Sequence, residues 1–365
     1  MNTTLYYIIG SFFVSMLCGF IFIPLINKFC RDRKLYDIPD SRKVHKNAIP
    51  RLGGISFLPS MLLAFLLVIM VYQNITGEES MTFSMWSVTF FISLLLIYVV
   101  GFLDDLIGIS ANMKFIVQII AACLLPLSGL YVNNLYGFLG IHEVPMWIGM
   151  PLTVFTIVFI DNAINLIDGI DGLSASLTFL SLCGFLFCFY RENLGAYCML
   201  ISGLMGVLIP YLYFNLFGDV EKGQKIFMGD SGSLTLGFIL SFLAIKFAMD
   251  NPNVKPFQSD SLLLAYTLLI VPVFDVVRLI LFRWRKHQGI FQPDKNHIHH
   301  KLMRIGLSQH KALFVILALA LMFAMINIVM NYQLQIHTTI IVLTDVVIYT
   351  VFHLYLDRRL RLVEK

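Results

Sequence analysis

Six aspartates stand in three short stretches rich in glycine and amide residues. They are Asp104 and Asp105 in GFLDD, Asp161, Asp168 and Asp171 in DNAINLIDGIDGL, and Asp230 in FMGDSGS. Taken singly, each reads as a helix-end charge, with Asp168 and Asp171 capping one helix and Asp230 another. As a set they need a different account, because clustered carboxylates repel, shift one another's pKa and require a compensating cation. Two or three carboxylates beside Asn162 and Asn165 form a hard oxygen site, suited to Mg²⁺ that keeps waters and takes phosphate oxygens, with Mn²⁺ as the alternative. Asn165, Asp168 and Asp171 fall at i, i+3 and i+6, which fits one helical face, although Gly169 and Gly172 fit a tight loop equally well. The glycines around Asp230 would also let backbone N–H groups at a helix start approach an anion.

Cationic partners come from two segments. SRKVHKNAIPRLGG supplies Arg42, Lys43, His45, Lys46 and Arg51, and PDKNHIHHK supplies Lys295, His297, His299, His300 and Lys301. Any one of the lysines and arginines is explained by attraction to anionic lipid. Three histidines within four residues are harder to explain that way, and the spacing is not that of a zinc site. Imidazoles beside a hard metal suit a phosphate or diphosphate donor. Asp275 and Asp345 differ from the rest in lying deep within apolar stretches. An acid in mid-membrane is a functional candidate by default; Asp275 has Arg278 three residues on as a structural partner, whereas Asp345 has no visible one.

The elements that must carry these residues are set by composition. The 365 residues are 58% hydrophobic and 13% charged, about half the charged fraction of a soluble domain at roughly 25%. With a mean hydropathy of +0.81, this excludes the soluble class and predicts an all-α polytopic membrane protein. The net charge of +4 implies no nucleic-acid partner once its location is considered. The six cysteines lie in or at the end of apolar stretches with no CxxC pair, so no disulfide or zinc framework follows.

A bilayer core of roughly 30 Å takes about 20 residues per helix. Eleven windows fit: 5–27, 52–72, 82–102, 115–133, 147–161, 173–190, 194–214, 232–249, 261–282, 312–332 and 337–356. The fifth is the shortest, and Pro145 and Pro151 are expected to kink or delay it. The first has no basic residue before it and Lys28, Arg31, Arg33 and Lys34 after it, so it reads as an anchored helix with the N-terminus outside. That topology puts 22 of the 26 Lys and Arg residues on the inner side, together with the C-terminus, as the positive-inside rule requires. It also brings all six aspartates to the inner ends of spans. No repeat or separate soluble domain interrupts the chain, so residues 1–365 read as one membrane domain.

With these motifs in hand, the chain resembles the polyprenyl-phosphate N-acetylhexosamine-1-phosphate transferases, a family of integral membrane enzymes. The resemblance covers about residues 41–308. It rests on five ordered blocks: RKVHKNAIPRLGG, GFLDDLIGISANMKFIVQ, NAINLIDGIDGL, IFMGDSGS and PDKNHIHHKLMRIGLS. PRLGG and HIHH resemble the branch that uses UDP-N-acetylglucosamine. The muramoyl-pentapeptide branch instead carries TPTMGG and three consecutive histidines.

The resemblance implies roles for single residues. Asp230 and Asn165 match the Mg²⁺ ligands, with Asp168 as a direct or water-mediated ligand. Lys46, Asp171, Asn215 and Phe227 match contacts to the nucleoside side of the donor. Asp104 matches the acid that deprotonates the lipid phosphate, with Asp105 and Lys114 completing that motif; Asp104, Asp105 and Asp168 thus form the expected catalytic set. His299, with His297 and His300, matches the diphosphate-binding histidines, and Arg51 adds a substrate-facing cation. The implied reaction is attack of undecaprenyl phosphate on UDP-N-acetylglucosamine with release of UMP, beginning a cell-envelope polysaccharide such as O-antigen or teichoic acid. The implied place is the bacterial inner membrane with the site facing the cytoplasm. A covalent phospho-aspartate route and another UDP-N-acetylhexosamine remain alternatives, and a homodimer is compatible with the sequence. The competing class is a secondary transporter for an anion using Asp275 and Asp345. It predicts a mid-bilayer site, whereas most candidate residues fall at the inner boundary.

Overall fold

The computed structural model describes residues 2–37, 48–76, 84–287, 289 and 296–363. Twelve α-helices account for nearly all of it: α1 (Asn2–Asp32), α2 (Phe57–Thr76), α3 (Met85–Ile107), α4 (Ala111–Leu127), α5 (Met146–Ile167), α6 (Leu173–Arg191), α7 (Gly195–Phe217), α8 (Gly229–Ala248), α9 (Ser261–Arg285), α10 (Ile298–Arg304), α11 (Gln309–Ile328) and α12 (Thr338–Val363). Among the described residues ten helices are long and apolar enough to cross a membrane, and α4, at 17 residues, is a shorter apolar helix at the place of the fourth of the eleven expected spans. The chain is an all-α, multi-pass membrane protein. Its outward faces carry large apolar side chains such as Phe13, Leu17, Phe155, Phe314 and Val347, as lipid contact demands.

Several spans depart from expectation: α3 and α12 run on to Ile107 and Val363, past the expected 102 and 356, and the fourth and fifth shift as well. The fourth begins at Ala111 rather than 115, with Ser110 accepting a bond from Met113 N, and it ends at Leu127, just after Pro126. The fifth continues six residues past 161 to Ile167, with Pro151 inside it and Pro145 as the N-cap. Its polar C-terminal turns, which resemble a loop in sequence, remain helical against a partner. Gln118 of α4 donates to Asp161 (2.9 Å) and accepts from Asn162 (3.0 Å). The short helix α10 lies in a segment read only as a loop.

α8 is the axis of the molecule. Its apolar residues are not confined to one stripe, and every residue from Ser231 to Ala248 is buried, the pattern of a helix enclosed on all sides. Gly232, Ser233, Gly237 and Ser241 let neighbouring backbones approach, and α3, α5, α6 and α9 pack around it. α1 lies against α7 and α2. A second apolar core, including Ile270, Phe323, Tyr349 and Leu356, joins α9, α11 and α12. A two-stranded ribbon, β1 (Tyr36–Asp37) against β2 (Ile49–Pro50), follows α1, with Tyr36 opposite Pro50. Beyond it the chain bonds to the segment that enters α8: Phe227 N donates to Pro50 O, Gly53 N to Phe227 O and Gly54 N to Met228 O. The RLGG stretch is thereby tied to the start of the central helix.

Candidate active site

Asp104 and Asp105 are neighbours near the C-terminal end of α3, so their side chains leave the helix about 100° apart. Asp104 points towards the start of α4: its Oδ1 accepts from Ile109 N in the turn before that helix (2.6 Å) and its Oδ2 pairs with Lys114 Nζ within it (3.1 Å). Asp105 points to α8 and is 4% exposed. Its two oxygens accept from Asp230 N and Ser231 N, each at 2.9 Å. The anion at the start of α8 is therefore a carboxylate of this chain, held by exposed amides and the positive end of the helix. Both Asp105 oxygens are thus engaged by the turn that carries Asp230. Gly229 makes that turn possible. It sits at φ +70°, and a Cβ there would lie 2.2 Å from Arg51 O and 2.4 Å from Asp105 Oδ2.

Asp230 is the meeting point. Its Oδ2 pairs with Lys114 Nζ (2.6 Å), and its Oδ1 accepts from Asn165 Nδ2 (3.2 Å), which also donates to Ser233 Oγ (2.8 Å). Of the two readings of the Asn165–Asp171 spacing, the loop is the one observed. α5 ends at Ile167 with Asp168 as its C-cap, so Asn165 is helical and Asp168 and Asp171 are not. α6 starts from Gly172 without a side-chain cap, so neither aspartate caps it. Asp171 pairs with Lys225 (2.7 Å). Among the described residues no cation pairs with Asp168, and burial together with the charges of Asp230, Asp171 and Asp105 pushes its carboxyl up to about 8.

These residues line one polar cavity of about 350 Å³ that includes Arg51, Asp104, Asp105, Asn165, Asp168, Asp171, Asn215, Phe227, Asp230 and His300. Arg42, Lys43, His45, Lys46 and Lys295 lie outside the described residues. Asn215 is buried and donates to Ile226 O (2.8 Å), fixing the segment that presents Phe227. The histidines separate. His300 lines the cavity, His297 lines an adjoining apolar groove, and His299 reaches neither. It is 1% exposed and lies against Gly169, where a Cβ would sit 2.2 Å from its Nε2. Burial, with His300 and His297 nearby, pushes it down to about 3, so it packs as a neutral ring.

Among the described residues no three His, Cys, Asp or Glu side chains form a ready-made metal cluster. The donor set nevertheless fits Mg²⁺, which binds through one or two carboxylates plus waters and substrate phosphate. Asp168 and Asp230 present hard carboxyl oxygens to one cavity, Asn165 adds an amide, and Lys114 is shared between Asp104 and Asp230. That leaves negative charge for a cation to offset.

The groove, of about 1070 Å³, runs between α4, α5 and α9 past Phe115, Ile119, Val154, Phe155 and Phe159. Asn165 lines both chambers, and Lys114 lines the groove while its ammonium reaches Asp104 and Asp230. Ser233 and Lys225 are participants that the sequence reading did not flag. Ser233 stands three residues after Asp230 in MGDSGS, a spacing that could have revealed it. Asp275 is not a lone mid-membrane acid. It accepts from Arg278 (2.8 Å), His297 Nδ1 (2.9 Å) and Ile298 N (3.1 Å), anchoring α10. Asp345 also has partners, Tyr266 (3.1 Å) and Asn327 (3.0 Å), both neutral.

Residues 85–248 match the model of glycosyl transferase family 4. A Bacillus subtilis (strain 168) protein named "Probable undecaprenyl-phosphate N-acetylglucosaminyl 1-phosphate transferase" is 34% identical, over 89% of this chain and 85% of its own length. The undecaprenyl-phosphate alpha-N-acetylglucosaminyl 1-phosphate transferases of Yersinia pestis and Escherichia coli (strain K12) are 30% and 27% identical, covering 90% and 86% of this chain and 84% and 81% of their own. Similarity of this extent shows that the chain belongs to glycosyl transferase family 4.

Proposed function

We propose that the chain transfers N-acetylglucosamine 1-phosphate from UDP-N-acetylglucosamine to undecaprenyl phosphate at the cytoplasmic face of the bacterial inner membrane, releasing UMP. The carrying observation is the junction of two chambers of opposite character. A charged cavity suits a water-soluble sugar nucleotide, an apolar groove suits a polyprenyl chain, and Asn165 and Lys114 stand where they meet. The names of the relatives support the acceptor and the sugar. The membrane face is supported by charge: the cavity lies beside the C-terminal end of α1, where Arg31 donates to Gly223 O (3.0 Å) and Lys28, Arg33 and Lys34 cluster. The same rule supports an N-terminus outside and a C-terminus inside.

The residues divide the work. Arg51, Lys114 and Lys225 offset charge on the diphosphate, Asn215 and Phe227 shape the nucleoside side, and His300 faces the phosphates. Asp230, Asp168 and Asn165 would hold Mg²⁺, which supplies neutralisation of the diphosphate when bound. A phosphate oxygen of the lipid forms a bond to the phosphorus bearing the sugar, and the bond from that phosphorus to the UMP oxygen breaks. Such transfer depends mainly on positioning and charge. Asp104 is poorly placed as the base, since Ile109 N and Lys114 occupy its two oxygens. Mass measurement of the lipid made from equal UDP-N-acetylglucosamine and UDP-N-acetylgalactosamine tests the donor. The reading requires a predominantly N-acetylglucosamine product, absent with Asp230→Asn. A predominantly N-acetylgalactosamine lipid would reassign the donor.

A further inference from the structure

We propose that His297, oriented by Asp275, is the group that takes the last proton from the lipid phosphate; this rests on the transferase reading above. Asp275 is 0% exposed, and it accepts from Arg278 Nη2 and Ile298 N on Oδ1 while its Oδ2 lies 2.9 Å from His297 Nδ1. A carboxylate beside a guanidinium is an acceptor, so Nδ1 carries the hydrogen and Nε2 keeps its lone pair. Nδ1 is the only ring atom of His297 with a hydrogen bond among the described residues, and the ring lines the apolar groove that also touches Lys114 and Asn165. The histidine segment is held against the site: His297 stacks on His299 at 5.6 Å, and His299 rests on Gly169 of the Asp168–Asp171 loop. Arg278 also donates to Asn296 O (2.5 Å), so the segment is clamped from both sides of His297.

The chemistry requires an acceptor here. A phosphate monoester loses its second proton near pH 6 in water. Beside four carboxylates and a bilayer the dianion is disfavoured, so the lipid arrives with that proton. It passes from the phosphate oxygen to His297 Nε2, giving an imidazolium whose Nδ1–H remains on Asp275. The freed oxygen forms the new P–O bond as the bond to UMP breaks, and the imidazolium returns its proton to UMP or water. Charged and titratable groups around the ring are Asp275, Arg278 and Arg283 of α9, Lys114 across the groove, and His299 and His300 on its own segment. Asp357 of α12 is paired with Lys301 (2.5 Å). Asp275 is a positioning residue, because Arg278 already offsets its charge.

The test uses the full-length protein with Mg²⁺, both substrates and two variants. His297→Gln should lower kcat by about 10²–10³-fold, the range of a general base, leave the donor KM unchanged within error, and abolish the acid limb of the kcat profile. His297→Gly should recover turnover with added imidazole in proportion to its free-base form. Unchanged kcat, or a loss confined to donor KM with the acid limb intact, would overturn the assignment. Absence of product from the unmodified protein would instead reject the transferase reading, so the two failures are distinct.

Discussion

Asp105→Asn separates a positioning carboxylate from a catalytic one. The substitution keeps size and shape but replaces one acceptor oxygen with an NH₂ group facing Asp230 N or Ser231 N, each now donating over 2.9 Å. One buried amide then loses its acceptor, at about 1–3 kcal/mol. The negative charge at the start of α8 is also lost, worth about 1 kcal/mol in a partly buried setting. The sum is about 2–4 kcal/mol against the packed state. A thiol-reactive dye reports unfolding directly, since Cys30 and Cys198 are fully buried and become reactive only when the bundle opens. At about 2 °C per kcal/mol for a long chain, the melting temperature should fall by roughly 4–8 °C. Residual activity below the melt should retain the wild-type pH profile. A melting temperature unchanged within error, together with complete loss of turnover, would refute the positioning role and return Asp105 to the catalytic set.

Other outcomes follow from the same geometry. Asp230→Asn should abolish turnover in the transfer assay while leaving the fold intact by size-exclusion chromatography. Gly169→Ala must displace the His299 ring from a point 2.2 Å away, and should lower kcat and melting temperature together, by about 1–3 kcal/mol in the latter's terms. Asp345→Asn should retain much of the activity, because its partners Tyr266 and Asn327 are neutral and lie away from the cavity; loss equal to that of Asp230→Asn would revive the transporter reading. For Asp168, whose folded value of about 8 lies above an unfolded value near 4, the folded state binds the extra proton. Metal-free protein should therefore lose stability as pH rises from about 4 to 8, and Mg²⁺ should stabilise it more at pH 8 than at pH 6. Melting curves at both pH values with EDTA or Mg²⁺ check the sign.

The spans were legible because hydropathy alone reports lipid contact, and the cavity was legible because its aspartates sit at the ends of apolar runs. The end of α5 was not. Asp161 and Asn162 look like a loop until Gln118, 43 residues before Asp161, supplies their partner. Neighbours in sequence also parted in space. Asp104 and Asp105 read as one acidic motif, yet helical rotation sends one to Lys114 and the other to the amides of α8. Three histidines in four residues read as one diphosphate site, yet α10 directs His297 to the groove and His300 to the cavity while His299 is buried between them. Lys225 lies outside every motif and Ser233 stands at the end of MGDSGS, and packing shows that they hold Asp171 and Asn165.

The most direct test of the central claim is transfer of radiolabel from UDP-N-acetylglucosamine to undecaprenyl phosphate by the purified protein in liposomes, with Mg²⁺ or with EDTA. The account predicts a labelled lipid and equimolar UMP with Mg²⁺ and neither with EDTA. No labelled lipid in the presence of Mg²⁺ and both substrates, from protein that melts cooperatively, would contradict it.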